Sequence, residues 1–461
     1  MLDIALMERT LNIETPQKVG QEVLLKGWIR VIRSHGKLGF LDVRDRTGVI
    51  QVVVNANVSQ EAFKKASELS SEDVVEIEGK VNTRPENAVN KNNPIGTVEI
   101  EATKLEIIAK AETLPFDMGG EDLNLELPTL LDYRSLTLRH PKVVAIFKVQ
   151  EALMEGFRRA AHEIDSTEVF VPTISASATE GGAELFKFKY FNHEAFLVQS
   201  PQLYKQMMVG VFERVFLVSH IYRAEPSVTT RHLVESIQMD FEIGFIDKME
   251  DVLDAMEFVY TEMIKYAQET CKAELEFLNV LPSKVYNKVP RLTLKEAQEK
   301  IFERAGIDHR GELDLMPEDE REIAKWALEE YESDLITITH FPTKKRAFYS
   351  KPDPKNPEIS LSYDLLYKGL EIASGAQRID DYSELVKTIK DRGMDPKNFE
   401  MYLQAFRYGI PPHGGFSFGL ERSTMKLLDL ANIREASLYP RDMERVDERL
   451  SHAHQKKSSK R

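Results

Sequence analysis

The chain has 461 residues, of which 42% are hydrophobic and 30% charged, so it can bury large cores and is neither disordered nor fibrous. Its 61 basic and 75 acidic residues give a formal net charge of −14, which disfavours a general nucleic-acid coat but allows a local basic face. A single cysteine, Cys271, excludes an internal disulfide and a cysteine-cluster metal site and favours a reducing cytoplasm. The sequence shows no membrane-spanning run and no signal-peptide pattern.

The first 110 residues predict a small β-barrel domain. Three β-rich runs, a helix that begins after Ser59, and two more runs follow one another, separated by turn signals. This order is that of an OB-fold, although any small β-domain would also fit. The predicted elements cover residues 23–32, 38–43, 49–54, 59–70, 74–81 and 96–108.

Residues 111–140 contain prolines and glycines but few periodic apolar positions, which predicts a linker. A large domain over 141–450 begins with a long amphipathic helix and continues with paired strand-like runs, which favours an antiparallel α+β domain. Within it, 282–333 predicts a solvated helical insertion without a functional role. The basic tail, 451–461, is interpreted as a frayed terminus.

A strand–loop–strand segment, 214–245, carries the first cluster of candidate functional residues. Arg223 and Glu225 precede its loop, and Arg231 and His232 end it. Two arginines on one hairpin suit a polyphosphate, because each guanidinium can bind phosphate oxygens in pairs. The competing interpretation is surface ion pairing with the many acids.

A glycine-bearing strand runs into a helix in segment 411–430. Its Gly419, Leu420, Glu421 and Arg422 place an arginine on the first helical turn, where it can stack on a purine. An ordinary tight turn is the commoner explanation of such glycines.

Two further segments place polar residues beside apolar ones. In 363–380, Glu371 and Ser374 follow a hairpin turn and suit Mg²⁺, with Arg378 next along the chain. In 179–208, the polar residues are Glu180, Gln202 and Lys205, and such groups need partners inside the protein or on a ligand. A hairpin with ordinary polar residues is the alternative for the first segment.

Together these segments resemble the class II aminoacyl-tRNA synthetases. Residues 223–232 resemble the family's motif 2 and 415–422 its motif 3, and the long helix, taken to end at Pro172, resembles motif 1. The sequences QSPQLYKQ, GGAELF, EIASGAQR and GIPPHGGF resemble more narrowly the aspartyl enzymes of archaeal and eukaryotic type. The resemblance covers nearly the whole chain and implies a homodimer with Pro172 at its interface.

The resemblance implies that amino acid and ATP form an adenylate, and that the acyl group then passes to the 3′ end of tRNA. Arg223 would bind the α-phosphate and the substrate carboxylate, and Glu225 the adenine amino group. Arg231 and His232 would bind the far phosphates, and Glu371 and Ser374 would hold Mg²⁺. The remaining ATP-binding positions are Ala224, Leu233, Gly419, Leu420, Glu421 and Arg422, the last stacked on adenine.

For the amino acid, the resemblance implies L-aspartate in a doubly cationic pocket. Arg378 would bind its side-chain carboxylate through two nitrogens and Lys205 would add a second charge. Glu180 and Gln202 would hold the α-ammonium. The set is completed by Leu203, Tyr204, Arg223 and Ser374.

For tRNA(Asp), the resemblance implies that Phe40 stacks on an anticodon base while Gln51 and Glu78 bind base edges. Trp28 could pack beside the anticodon, but a position in the barrel core explains it equally well. The sequence leaves open whether tRNA(Asn) is charged as well. Ser417 and Phe418 depart from the usual motif 3.

Three competing identities are ranked lower. An asparaginyl enzyme shares the architecture, and a lysyl enzyme would need acids in place of Arg378 and Lys205. A catalytically silent RNA-binding paralogue would be expected to lose motif arginines, yet Arg223, Arg231 and Arg422 are present.

Overall fold

The computed structural model describes residues 8–90, 95–176, 184–225, 229–285 and 288–450. The chain divides into two compact units between Glu126 and Leu127. The candidate residue Glu180 and the basic tail lie outside the described residues. Among the described residues, no helix is long and apolar enough to cross a membrane.

The first unit is a closed five-stranded barrel with the OB-fold order that the sequence predicts. Its strands alternate buried and partly exposed residues, so every second side chain enters one barrel core. The Ser59 hydroxyl accepts a hydrogen bond from the Ala62 amide at 3.2 Å and caps the helix. The elements are β1 (Glu22–His35), β2 (Leu38–Asp45), β3 (Gly48–Asn55), α1 (Gln60–Ala66), β4 (Val74–Thr83) and β5 (Val98–Ala109).

The second unit is built on a sheet whose described strands run in the order β12-β13-β16-β17-β18-β11-β10-β6. Its interior pairs are antiparallel, as predicted, and a parallel pair closes each edge. Strands β7, β9 and β8 form a separate small sheet, and β14 pairs with β15. All described strands of this unit are β6 (Thr167–Glu168), β7 (Ile174–Ser175), β8 (Lys187–Tyr190), β9 (His193–Leu197), β10 (Arg214–Tyr222), β11 (Glu235–Gly244), β12 (Arg291–Thr293), β13 (Leu335–Thr339), β14 (Pro352–Asp353), β15 (Asn356–Ser360), β16 (Ser362–Tyr367), β17 (Leu370–Gln377) and β18 (His413–Gly419).

Helices cover this sheet and supply much of its core. Helices α4 and α6 pack closely, and a Cβ on Gly156 would lie 3.0 Å from the Met263 backbone. The helices are α2 (Leu127–Asp132), α3 (Arg134–Thr137), α4 (Pro141–Glu163), α5 (Gln202–Phe212), α6 (Met249–Thr270), α7 (Lys272–Phe277), α8 (Leu294–Ala305), α9 (Pro317–Tyr331), α10 (Tyr382–Asp391), α11 (Glu400–Arg407) and α12 (Leu420–Leu427).

The long helix ends earlier than the sequence analysis expected. It stops at Glu163, and Asp165 then adopts a left-handed conformation with φ of 56°. Pro172 therefore does not end the helix but lies beyond β6 in an exposed segment, two residues after Phe170, which is 87% exposed.

The predicted linker is shorter at its C-terminal end. Residues 127–140 form two short helices within the second unit. Arg134 is buried there, and its guanidinium donates to the carbonyls of Glu435, Ser437 and Leu438. These bonds attach the segment to the rest of the second unit, because a buried guanidinium needs acceptors.

The prediction of a purely solvated insertion over 282–333 is wrong for one strand and one helix face. Residues 291–293 form β12, which pairs with β13 at the sheet edge. Helices α8 and α9 bury a stripe of small and apolar side chains against β13, while their charges face outward. The stripe was hidden because apolar residues are few among many acids and lysines.

Candidate active site

A cleft of about 290 Å³ lies over the strands β10, β11, β17 and β18 of the second unit. Motif-like segments that are far apart in sequence meet here because these four strands are neighbours in the sheet. The predicted residues that line it are Gln202, Lys205, Arg223, Glu225, Arg231, His232, Leu233, Glu371, Ser374, Arg378, Gly419, Glu421 and Arg422.

One end of the cleft, hereafter the amino-acid end, holds two buried cations and two buried acids. Lys205 Nζ on α5 lies 2.8 Å from Asp240 Oδ1 and 3.6 Å from Glu242 Oε2. The guanidinium of Arg378 binds Glu242 through two nitrogens, Nε at 2.8 Å and Nη2 at 3.2 Å. Although burial alone would raise it, Arg378 and Lys205 hold the pKa of Glu242 below its ordinary value.

The expected excess of positive charge at this end is therefore wrong, because two cations face two carboxylates. The expectation of two-nitrogen binding by Arg378 is also wrong, since Glu242 and the Gly415 carbonyl occupy Nε and Nη2. Among the described residues, only its Nη1 has no hydrogen-bond partner. The guanidinium thus offers one nitrogen, held in a fixed direction, to a ligand.

Glutamines complete the amino-acid end. The Gln202 amide nitrogen donates to Gln206 Oε1 at 3.0 Å, which leaves Gln202 Oε1 to accept from a ligand. Gln206 in turn donates to Nε2 of the neutral His413, whose Nδ1 donates to the Pro411 carbonyl. Burial lowers the pKa of His413, which keeps the ring neutral.

Gln199 lines the same end, and sequence reasoning missed it. Its Nε2 donates to the Glu184 carbonyl at 3.2 Å. Its Oε1 is buried without a hydrogen-bond partner among the described residues. A buried amide oxygen is costly when left unpaired, so it suits a donor on a bound ligand.

The other end, hereafter the phosphate end, carries arginines that are paired more loosely. Arg223 Nη1 lies 3.9 Å from Glu225 Oε1, and Arg422 Nη1 donates to the Glu371 carbonyl at 2.9 Å. Side-chain exposure is 45% for Arg223 and 25% for Arg422. Burial, and next Arg422, lower the pKa of His232, so its ring is uncharged at neutral pH.

Carboxylates gather beside these arginines. Strand β17 carries an extra residue opposite β16, since Leu365 pairs with Ala373 and Leu366 with Glu371. This bulge turns Glu371 and Ser374 toward the same cleft although they are three residues apart. Burial, and then the charge of Asp364, raise the pKa of Glu371 to about 7.

The donor set here fits a divalent cation. Asp364 pairs with Ser374 across the two strands, and Arg346 binds both through Asp364 Oδ1 at 2.9 Å and Ser374 Oγ at 3.0 Å. The raised pKa of Glu371 beside the Asp364 carboxylate favours a cation near Glu371. Asp364 and Arg346 were missed by sequence reasoning; the alternation of β16 and β17 would have found Asp364, whereas no pattern marks Arg346.

Four predicted residues make no side-chain contribution to the cleft wall. Leu203 and Leu420 lie in hydrophobic clusters, so their side chains belong to the core. Ala224 and Tyr204 lie outside the lining, and the Ala224 amide donates to the Glu184 carbonyl. Glu421 does line the cleft, but both of its carboxylate oxygens lie 3.1 Å from the Ile237 amide, so this side chain anchors β11.

The two unusual motif 3 residues point in opposite directions. Phe418 is completely buried and packs against Tyr260 and Phe157. Ser417 lines the cleft and donates to Gln238 Oε1 at 2.6 Å. The bulky Phe418 therefore leaves the cleft unchanged.

The candidate anticodon residues lie on the outer surface of the barrel. Phe40 on β2 is partly exposed and pairs in register with Arg33 of β1 and Val53 of β3. Gln51 on β3 donates to Glu99 at 3.0 Å, and Glu78 on β4 binds Lys104 at 2.9 Å. Phe40 and Gln51 are therefore on adjacent strands, whereas Glu78 lies on a strand adjacent to neither β2 nor β3.

Trp28 also belongs to this outer surface. It is partly exposed rather than part of the barrel core, and the guanidinium of Arg44 lies 4.9 Å from its ring centre. A barrel with basic and aromatic side chains on its outside has the composition of a single-stranded nucleic-acid surface.

Comparison with known proteins agrees with this geometry. The family model "tRNA synthetases class II (D, K and N)" matches residues 126–443, and "OB-fold nucleic acid binding domain" matches 23–108. The aspartate–tRNA(Asp) ligase of Pyrococcus horikoshii is 40% identical over 438 residues, which cover 94% of this chain and 98% of the relative.

Two further matches are to proteins whose names give other specificities. The aspartate–tRNA(Asp/Asn) ligase of Methanococcus vannielii is 42% identical over 94% of this chain and 96% of its own. The structure of asparaginyl-tRNA synthetase from P. horikoshii, complexed with asparaginyl-adenylate, matches with a TM-score of 0.87 at 35% identity, covering 95% of this chain and 99% of that one. The fold, the cleft and these matches together establish that this chain belongs to the class II tRNA synthetases of the D, K and N group.

Proposed function

We propose that this chain is an aspartate–tRNA ligase that forms aspartyl-adenylate and passes the aspartyl group to tRNA(Asp). The observation that carries the proposal is the amino-acid end, where Arg378 and Lys205 are fixed by Glu242 and Asp240 at one end of a synthetase cleft. The named aspartate–tRNA ligases that match over 94% of the chain support the same substrate.

In the first step, an oxygen of the aspartate α-carboxylate attacks the α-phosphorus of ATP, and pyrophosphate leaves with the bonding electrons. Arg223, at the end of β10, binds the α-phosphate and the reacting carboxylate as negative charge grows. Arg231, His232 and Arg422 bind the rest of the nucleotide. The arginines act by position and charge, since none of them exchanges a proton.

At the amino-acid end, the side-chain carboxylate of aspartate accepts from Arg378 Nη1 and from Lys205 Nζ. An asparagine amide would turn its NH₂ group toward one of these donors, which opposes its binding. Gln202 Oε1 and Gln199 Oε1 accept from the substrate ammonium, together with Glu180. In the second step, the terminal ribose hydroxyl attacks the aspartyl carbonyl and AMP leaves.

Mg²⁺ would be held by Glu371, Asp364 and Ser374. Bound there, it neutralises charge on the phosphates. The chain's own contribution is to keep these oxygens together, and Arg346 does so for Asp364 and Ser374 by binding both. We further propose a homodimer whose interface includes Pro172, since Phe170 beside it exposes a large apolar surface.

The decisive experiment is ATP–pyrophosphate exchange without tRNA, with aspartate, asparagine or lysine as the amino acid. We expect exchange with aspartate alone. Exchange with asparagine would assign the chain to the asparaginyl enzymes, and no exchange by the folded protein would make it a silent paralogue. Charging of tRNA(Asp) and of tRNA(Asn) is then measured side by side, because the relatives of near-equal identity carry either specificity.

The barrel is tested by Phe40→Ala. If its ring stacks on an anticodon base, kcat/KM for tRNA charging should fall about 5- to 150-fold, the equivalent of one lost stacking contact. Pyrophosphate exchange without tRNA should not change. Ile108→Ala, which removes another exposed apolar side chain from the barrel, is the matched control. Equal charging by the wild type and Phe40→Ala would contradict the role of Phe40.

A further inference from the structure

The charged segment beside the sheet delivers a carboxylate to Arg231, which lines the cleft. We propose that Glu320, on α9, is a positioning residue that orients Arg231 toward the polyphosphate of the nucleotide. The inference rests on the proposed function, because it takes Arg231 as a phosphate-binding residue. It also gives a role in the reaction to a segment that the sequence analysis treated as solvated surface.

The contact between the two side chains is close and mostly shielded from water. Glu320 Oε2 lies 3.2 Å from Arg231 Nη1, and side-chain exposure is 12% for Glu320 and 25% for Arg231. An ion pair in such surroundings is screened less than a surface pair. It therefore constrains the arginine more than the exposed pairs on the outer faces of α8 and α9 constrain their partners.

Glu320 is itself fixed in place by the sheet. Helix α9, which carries Glu320, packs against β13, β16 and β17 of the sheet. The first turn of α9 also lies against the β16–β17 turn, where Gly369 has φ of +73° and a Cβ would come 3.0 Å from the Arg321 Cα. A side chain at Gly369 would push the helix away, so the glycine allows the close approach that places Glu320.

Arg231 needs such support because it lies in the connection between β10 and β11 rather than on a strand. Its backbone amide donates to Thr229 Oγ1 at 3.2 Å, and its Nη1 is occupied by Glu320. Among the described residues, Nε and Nη2 have no hydrogen-bond partner, so one edge of the guanidinium remains for phosphate oxygens. Holding one nitrogen reduces the rotamer entropy that a long side chain loses on binding a ligand.

The test is Glu320→Gln in ATP–pyrophosphate exchange with aspartate. Glutamine keeps the size of the side chain but loses the charge that holds Arg231. We expect the KM for ATP to rise about tenfold, while the KM for aspartate and the melting temperature stay unchanged. Glu330→Gln is the matched control, since it removes an exposed charge from the same helix and should behave as the wild type.

A double-mutant cycle with Arg231→Ala separates positioning from a structural role. If Glu320 acts through Arg231, Glu320→Gln should add no further loss once the arginine is gone. An equal loss in both backgrounds, a change in the KM for aspartate, or no change at all would overturn the inference. Absence of exchange by the wild-type protein would instead overturn the proposed function, so the two failures are distinguishable.

Discussion

The charged side chains form close ion pairs at one end of the cleft and looser ones at the other. At the amino-acid end, each buried cation already has its carboxylate, with Lys205 on Asp240 and Arg378 on Glu242. At the phosphate end, Arg223 and Arg422 lie 3.9 and 4.0 Å from their carboxylate partners, and Arg223 remains 45% exposed. Burial, and next the charge of Asp364, raise the pKa of Glu371 there. The first end is thus tightly paired in the folded chain, whereas the second keeps two arginines in looser pairs that phosphates can replace.

The largest effect should come from Arg378→Lys, which disrupts the ion pair with Glu242 at the amino-acid end. Lysine keeps one positive charge for Glu242 but loses Nη1 and the bond to the Gly415 carbonyl. We expect kcat/KM for aspartate in pyrophosphate exchange to fall about 10³-fold, together with a lower melting temperature. Arg407→Lys, which alters an exposed pair with Glu400, should leave both unchanged. A variant that lost affinity for ATP rather than aspartate would place Arg378 at the wrong end.

A smaller loss of activity, with the opposite effect on stability, is expected from Glu371→Gln. Neutralising this side chain removes the repulsion from Asp364, so the melting temperature should equal or exceed that of the wild type. Exchange should fall about 10²-fold at fixed Mg²⁺, and the Mg²⁺ concentration for half-maximal rate should rise. A large drop in melting temperature would show that Glu371 serves the fold and would remove the contrast between the two ends.

The smallest effect concerns Glu421, whose pKa burial raises to about 7. The folded protein holds this proton more tightly than the unfolded chain does, so the resulting stability is complete below the unfolded pKa of about 4.5. It is then lost as the pH rises through about 7. Glu421→Gln should therefore reduce the loss of unfolding free energy between pH 5 and pH 8 by at most about 3 kcal/mol. The melting temperature of this variant should accordingly fall less over the same pH range. Parallel pH profiles of the wild type and Glu421→Gln would contradict the raised pKa.

The sequence predicted the barrel and the antiparallel sheet because alternation, turn residues and element order are local signals. It also found 13 of the 29 residues that line the cleft, since these lie in short motifs such as 223–232 and 415–422. The motif-like residues Leu203 and Leu420 were assigned to ligands because resemblance transfers whole segments, while side-chain direction is set by the fold.

What the sequence could not provide was the balance of charges. Asp240 and Glu242 lie on β11 outside the predicted site residues, so Lys205 and Arg378 were counted as unpaired. Glu320 was hidden among the acids of its helix, because nothing in a charged run distinguishes the carboxylate that contacts Arg231. Pairings between residues 35 to 136 positions apart depend on packing and have no local signature.

The matched charges at the amino-acid end also affect how this enzyme can change over time. Replacing any one of Lys205, Asp240, Glu242 or Arg378 by a neutral residue leaves an odd buried charge, which is strongly destabilising. Gly415 cannot be replaced by a residue with a side chain without moving Glu242, since a Cβ there would lie 2.1 Å from Glu242 Oε2. A single neutral substitution at any of these four positions should therefore lower the stability of the fold as well as the affinity for the amino acid. The charge network thus ties the specificity of the pocket to the stability of the domain that carries it.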